Sequence, residues 1–324
     1  MAIHTIGSPL AWAGFLAFVL IMLALDLGVF HKHAHVISTR EALIWSGVWF
    51  GCASLFCLGV LWFSGSARAM EFAAGYLIEK ALAIDNIFVI AVIFGYFAVP
   101  AAYQHRVLFW GILGALVLRA FFIALGAALI ARFHWVLYVF GALLVFTGAK
   151  LMLRPEADTD PGKRPIVRWF RRFVPMTDAY HEQRFVVREG TRWLATPLLL
   201  CLVVIEVTDL IFAIDSIPAI FAVTDDPFIV FTSNILAILG LRSLYFLLSG
   251  VIDKFRFLKL GLGAVLCFVG AKMLLADVVK IPIAVSLLAI AGLVGGSIVL
   301  SLWLPPRASL PAPKPPSPSG TGNH

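Results

Sequence analysis

The sequence predicts an all-α polytopic membrane protein with about nine transmembrane helices, six of them forming two inverted three-helix repeats. Three observations carry that prediction. Hydrophobic residues make up 61% of the 324 and charged residues only 13%, about half the charged share of an ordinary soluble domain. Nine separate apolar stretches are each long enough to cross a bilayer, which takes about 20 residues. A pattern of acids inside these stretches also recurs, in the same order, in the second half of the chain.

A soluble core of this length cannot hide so much apolar surface. That excludes a soluble enzyme, a disordered protein and a nucleic-acid-binding module; the net charge of +7 is instead the orientation signal of basic loops. The cysteines, Cys52, Cys57, Cys201 and Cys267, all fall in apolar stretches and form no CxxC pair, so neither a disulfide framework nor a zinc site is expected. The first apolar stretch lacks a basic leader and contains Asp26, so a cleaved signal peptide is not expected.

The stretches lie at roughly 9–30, 42–64, 70–97, 105–130, 134–153, 195–222, 229–250, 256–276 and 281–303. Odd-numbered links between them are mostly basic, and even-numbered links are poor in Lys and Arg. The fifth link, 154–194, is the most basic, with Arg154, Lys163, Arg164, Arg168, Arg171, Arg172, Arg184, Arg188 and Arg192, whereas the sixth has Asp225 and Asp226 and no base. The positive-inside rule then puts the N-terminus outside and the C-terminus in the cytoplasm of a multi-pass inner-membrane protein. Residues 1–304 form the transmembrane domain. The 154–194 link is a cytoplasmic connector held near anionic lipid, with docking of a partner protein as the alternative. The Pro/Ser-rich tail, 305–324, is expected to be disordered. His31, His33 and His35 read as part of a solvated loop.

The repeat is specific. Ala83-Ile84-Asp85-Asn86-Ile87 returns as Ala213-Ile214-Asp215-Ser216-Ile217, with Glu79 and Asp209 each six residues before the central Asp. An Arg follows in the next helix of each half, Arg119 and Arg242. One helix later GALLVFTGAKLML (141–153) matches GAVLCFVGAKMLL (263–275) at eight of 13 positions. Copies at about 70–153 and 195–276, three helices each, have opposite topology. That is a transporter signature and puts a binding site near the bilayer midplane.

Charges at membrane depth are costly and mark function. The acids there are Asp26, Glu79, Asp85, Glu206, Asp209 and Asp215; the bases are Arg119 and Arg242, read as partners or braces for the acids. An excess of carboxylates requires protons or a metal cation. Oxygen ligands suit hard divalent ions such as Mn²⁺, Mg²⁺ or Ca²⁺, and Asn86, Ser216 and Thr208 add neutral oxygens. Spacing limits convergence: six residues turn a helix by about 600°, so Asp209 and Asp215 point about 120° apart, while Glu206 and Asp209 share a face. Pro218 therefore suggests a break after Asp215 that would free carbonyls. A proton relay and purely structural Asp–Arg pairing remain alternatives.

The motifs ALAIDNIFVI (81–90), EVTDLIFAIDSIPAI (206–220), ATPLLL (195–200), ALDLGVF (24–30) and the two GAK segments resemble the TerC family of integral membrane proteins, with its Alx-type members. The likeness covers almost all of the chain outside the tail. It implies two inverted three-helix units plus extra helices, a role in manganese export and metal homeostasis, and tellurium resistance as the source of the name. It also implies metal-binding roles for Glu79, Asp85, Asn86, Glu206, Asp209 and Asp215. The resulting expectation is a Mn²⁺ exporter working by alternating access, with the metal as cargo, the lipid bilayer as surroundings, no resident cofactor, no nucleic-acid partner and no enzymatic activity. Two readings compete with it: a stress-response module acting through partner proteins, and an intramembrane aspartyl protease using Asp85 and Asp215. The protease reading is weakened by the absence of a Gly-x-Gly-Asp motif.

Overall fold

A computed structural model of the chain describes residues 5–30, 38–133, 135–153, 165–177, 179–189, 191–248 and 257–304, with the side chains of 26–30 excepted. Asp26, the three histidines at 31–35 and the tail lie outside the described side chains. The helices are α1 (Pro9–Phe30), α2 (Thr39–Ser64), α3 (Ser66–Tyr96), α4 (Ala101–Arg132), α5 (Val136–Leu153), α6 (Pro165–Phe173), α7 (Pro197–Phe221), α8 (Pro227–Leu239), α9 (Leu241–Leu248), α10 (Leu258–Leu274) and α11 (Ile283–Trp303).

Local sequence sets several boundaries. Ser38 caps α2 by accepting from the Glu41 backbone N–H at 3.3 Å, and Glu41 in the first turn favours the positive end of the helix dipole. Gly65, at φ +87°, ends α2 and turns the chain into α3, a backbone conformation that favours glycine. Pro197 and Pro227 open α7 and α8 from the first turn, where no N–H is needed.

Helices occupy all nine expected stretches, the seventh as a broken pair. Five of them, α2, α4, α5, α7 and α11, are long and apolar enough to span a membrane alone; α8 and α9, bent by 41° at their junction, make up to six. α10 has only 17 residues, and α3 carries Arg68, Glu71, Glu79, Lys80 and Asp85. Among the described residues, length and apolarity therefore mark five or six spans.

The expected break after Asp215 is corrected. α7 continues through Pro218 to Phe221, although the proline has no N–H to donate to the Ile214 carbonyl. The discontinuity falls at Gly240, between α8 and α9. There the Lys80 ammonium donates to the Ala237 carbonyl at 3.0 Å, satisfying an acceptor at the end of α8.

α8 is the central helix: every residue from Phe228 to Leu239 is buried. It packs against α3, α4 and α2, with an apolar cluster of Phe15, Trp49, Phe72 and Phe228 around it. Outward-facing Trp62, Phe63, Phe146 and Leu288 leave an apolar exterior, as lipid contact requires.

α5 and α10 meet through glycines. A Cβ on Gly148 would lie 2.5 Å from the Gly263 carbonyl oxygen, and one on Gly270 would lie 2.7 Å from that of Gly141. Small residues thus allow the two backbones to touch. Polar contacts group the links by end. The Asp226 carboxylate, in the sixth link, accepts from Thr5 Oγ1 at 2.7 Å and the Ile6 N–H at 2.8 Å. Arg68 in the second link lies 3.6 Å from Asp225, and Tyr138, in the first turn of α5 beside the fourth link, pairs with Asp277 in the eighth. At the other end, the fifth link folds onto the α3–α4 turn, where the Tyr180 hydroxyl donates to the Phe97 carbonyl at 2.6 Å. This link holds α6 and a hairpin of β1 (Val186–Glu189) and β2 (Arg192–Ala195), paired antiparallel with Val186 opposite Ala195. The sequence reading did not anticipate the strands.

Candidate functional site: a buried guanidinium among carboxylates

Arg119 on α4 is the hub. Its side chain is 1% exposed, as is that of Glu79 on α3. Nη1 donates to Glu79 Oε1, to Ser216 Oγ at 3.2 Å and to Asn234 Oδ1 at 3.3 Å. Nη2 and Nε donate to Asp209 Oδ1 and Oδ2 at 3.0 and 3.3 Å, the bidentate geometry that a guanidinium fork favours. Asn234 on α8 donates its amide to Glu79 Oε2 at 3.1 Å, so both oxygens of that buried carboxylate are used. Four helices thus contribute to one network.

Helix periodicity explains the membership. Asp209 and Ser216, seven residues apart on α7, share a face, and both reach Arg119. Glu79 and Asn86 are likewise seven apart on α3, and both line one cavity of about 30 Å³ beside Arg119, Thr208 and Asp209. Asp215 diverges, as the helical arithmetic requires, and accepts from Thr147 Oγ1 of α5 at 3.1 Å. Asp85 lines a different cavity. The Glu206 carboxyl lies on the backbone of α4 at Gly114, where any Cβ would collide with it. Thr208 Oγ1 bonds back to the Val204 carbonyl at 2.6 Å. Arg242, just past the Gly240 break, has Nη1 2.6 Å from His105 Nε2.

The structure therefore gathers Glu79, Asp209, Ser216 and Arg119, sets Asn86 and Thr208 at the adjoining cavity, and keeps Asp85, Asp215 and Arg242 elsewhere. Among the described residues, no three His, Cys, Asp or Glu side chains lie close enough to hold a metal ion. Among the described residues, the buried oxygens Asn86 Oδ1 and Glu206 Oε2 near this network have no hydrogen-bond donor. Buried acceptors without donors are costly, and a cation or a proton would satisfy them.

Sequence reasoning missed Asn234, Thr147 and Gly114. Asn234 was legible as a lone amide inside an apolar helix, a residue type that bonds across membrane helices. Thr147 stands where the second GAK segment has Val269, so comparing the copies flags it. Gly114 carries no comparable signal.

The chain is similar to known proteins over almost its whole length. It is 56% identical over 298 residues to STKORF319, an uncharacterized membrane protein of Myxococcus xanthus, covering 92% of this chain and 93% of that one. It is 48% identical over 310 residues to Alx of Escherichia coli strain K12, named as a candidate membrane-bound redox modulator, covering 93% and 97%. A membrane protein of Rickettsia felis is 40% identical over 293 residues, covering 90% and 97%. No solved structure matches. The pattern of the integral membrane protein TerC family matches residues 64–309. The chain belongs to the TerC family of integral membrane proteins.

Proposed function

We propose that the protein is a transporter that exports a divalent cation, with Mn²⁺ as the leading cargo, from a carboxylate site by alternating access. The carrying observation is the pair of donorless buried oxygens, Asn86 Oδ1 and Glu206 Oε2, close to two carboxylates that share one guanidinium. In the present state Arg119 is the cation on Glu79 and Asp209. Oxygen donors of these kinds are what hard divalent ions take, so a metal ion competes with Arg119 for the same acids. Asp209, 17% exposed where Glu79 is 1%, is the more accessible of the two. Capture of the metal releases the guanidinium, and return of the guanidinium expels the metal.

The inverted-repeat reading is supported by the glycine contacts. Gly141 and Gly263 open the two GAK segments, and Gly148 and Gly270 are the eighth residue of each. Gly141 meets Gly270, and Gly148 meets Gly263. Such reciprocal contact is what a two-fold axis generates, and an antiparallel pair places that axis across the helices. The grouping of even-numbered links with the N-terminal segment at one end supports the alternating topology, and the basic fifth link supports its cytoplasmic side. On this reading the redox role named for Alx is an indirect effect of cellular metal content, and tellurium resistance has the same indirect origin. The four cysteines are all free.

The test is Mn²⁺ flux into vesicles holding the purified protein, with Mg²⁺, Ca²⁺ and Zn²⁺ alongside, and cellular content of the same metals with and without the protein. Flux that falls at least about tenfold in Asp209→Asn and Asn86→Ala supports the proposal. Absence of flux for every ion, or unchanged flux in both variants, rejects it.

A further inference from the structure

A second cavity, of about 630 Å³, lies between α3 and α7 beneath the start of α6, and Asp85 is in its wall. It extends from Val92 and Ile166, at the end of the bundle covered by the fifth link, to Asp85. Those seven residues of α3 correspond to about 10 Å along the helix axis. Two side chains, Thr208 and Phe212 of α7, line both this vestibule and the Arg119 cavity. They are one helical turn apart on one stripe. On α3 the neighbours Asp85 and Asn86 face the two spaces separately.

Resting on the transport reading above, we propose that Thr208 and Phe212 form the inner gate between a vestibule for the hydrated cation and the Arg119 cavity, and that this gate selects by forcing dehydration. Volume sets the chemistry. A water needs about 10–15 Å³ of cavity space, so the vestibule, at about 630 Å³, holds an ion with its water shell. The inner cavity, about 30 Å³ and so about one twentieth of the vestibule's volume, admits only a few waters and not a full shell. An ion passing from Asp85 to Asp209 exchanges water for the oxygens of Asp209 and Asn86. Mg²⁺ gives up water reluctantly, and the gate therefore disfavours it relative to larger, more readily dehydrated divalent ions. Thr208 is pinned to the Val204 carbonyl. The Phe212 ring, with two rotatable bonds, is the moving part.

Two measurements test this. The first needs no cargo: with the four native cysteines replaced, Val89→Cys reports the vestibule and Ala115→Cys the inner cavity, probed with a water-soluble methanethiosulfonate from the side bearing the fifth link. The Val89→Cys thiol is expected to react in the parent. The Ala115→Cys thiol is expected to react slowly there, and at least about tenfold faster when Phe212→Ala is added. No acceleration overturns the gate; a Val89→Cys thiol that stays unreactive identifies the vestibule as a lipid-filled groove and also overturns it. The second uses the native cysteines and compares Mn²⁺ with Mg²⁺ flux in Phe212→Ala and the milder Phe212→Leu. The ratio is expected to fall in both, more in Ala, and to stay unchanged in Leu288→Ala on the outer face of α11. An unchanged ratio in both Phe212 variants removes the selectivity role. Accelerated labelling without flux of any ion leaves the gate standing and sinks the transport reading instead.

Discussion

Arg119→Met tests the centre of the structure. The substitution keeps roughly the length of the side chain and deletes the charge, leaving Glu79 at 1% exposure with only neutral partners, the Asn234 amide and the Ser216 hydroxyl, while Asp209 loses both contacts of a bidentate pair. Five hydrogen bonds disappear. Summing them at about 1.5–3 kcal/mol each would overcount, since the network acts as a unit. The applicable magnitude is that of removing one partner from a buried ion pair, about 3–5 kcal/mol. The triple variant Arg119→Met, Glu79→Gln, Asp209→Asn removes the orphaned charges too and is expected to recover most of that loss, because replacing a whole buried pair with neutral groups is often close to neutral. The assay is reversible unfolding in detergent micelles for the parent, single and triple variants. A single variant that loses less than about 1 kcal/mol, or a triple variant less stable than the single, would refute the claim that desolvated charge holds these four helices in register.

Gly148→Ala and Gly263→Ala each force a methyl against the facing backbone at 2.5–2.8 Å, and overpacking of this kind is expected to cost about 1–3 kcal/mol, read as a lowered unfolding midpoint; Gly292→Ala, with open space around it, should change little. Asp226→Ala removes the α8 cap, worth about 1 kcal/mol, along with the acceptor for Thr5 and Ile6, and faster amide exchange at Ile6 measures the release. Tyr180→Phe deletes the bond to the Phe97 carbonyl, worth about 1 kcal/mol. Burial, then the nearby Cys201, pushes the Tyr180 phenol up from 10.0 to about 12. The folded link thus holds this proton where the unfolded link loses it, so its contribution is complete below pH 10 and is lost as pH rises from about 10 to 12. Protease nicking of the link between pH 8 and 12 should rise across that window in the parent, and Tyr180→Phe should abolish this component of the rise.

Much of the architecture was legible because membrane spans and intramembrane charges leave strong signals. The apolar runs located the helices, and the i,i+6 spacing of Asp209 and Asp215 correctly separated them. What the charges alone did not reveal was who satisfies whom. The resemblance implied metal-binding roles for five acids and Asn86, yet helix rotation sends Asp85 to the vestibule and Asp215 to Thr147, leaving Glu79 and Asp209 for Arg119. The proline rule misplaced the break: α7 absorbs the one hydrogen bond lost at Pro218 and continues, whereas the chain breaks at Gly240, where no proline stands. The central position of α8 was foreshadowed by its composition, apolar on every face apart from Asn234 and its hydroxyls, which marks a helix with no side to spare for solvent.

The two arginines make the asymmetry of the halves specific. On the inverted-repeat reading, Leu118-Arg119 corresponds to Leu241-Arg242 and Val117 to Gly240. α4 runs unbroken through Val117, while its counterpart bends by 41° at Gly240. On the transport reading proposed above, alternating access moves one repeat against the other, so the opposite state should exchange these roles: α8 and α9 align, α4 opens near Val117, and Arg119 leaves Glu79. Glycine at 240 and valine at 117 weight the equilibrium towards the present state, since a glycine lowers the cost of a break that a β-branched residue resists. Gly240→Ala should therefore populate the opposite state, although its Cβ would meet Lys80 Nζ at 2.8 Å, a flexible end that can give way. Spin-label distances across the α8–α9 junction should lengthen in Gly240→Ala with Mn²⁺ present, and amide exchange around Val117 should accelerate. If the distances lengthen while Val117 stays protected, the break at Gly240 is a local irregularity and the two halves do not exchange conformations.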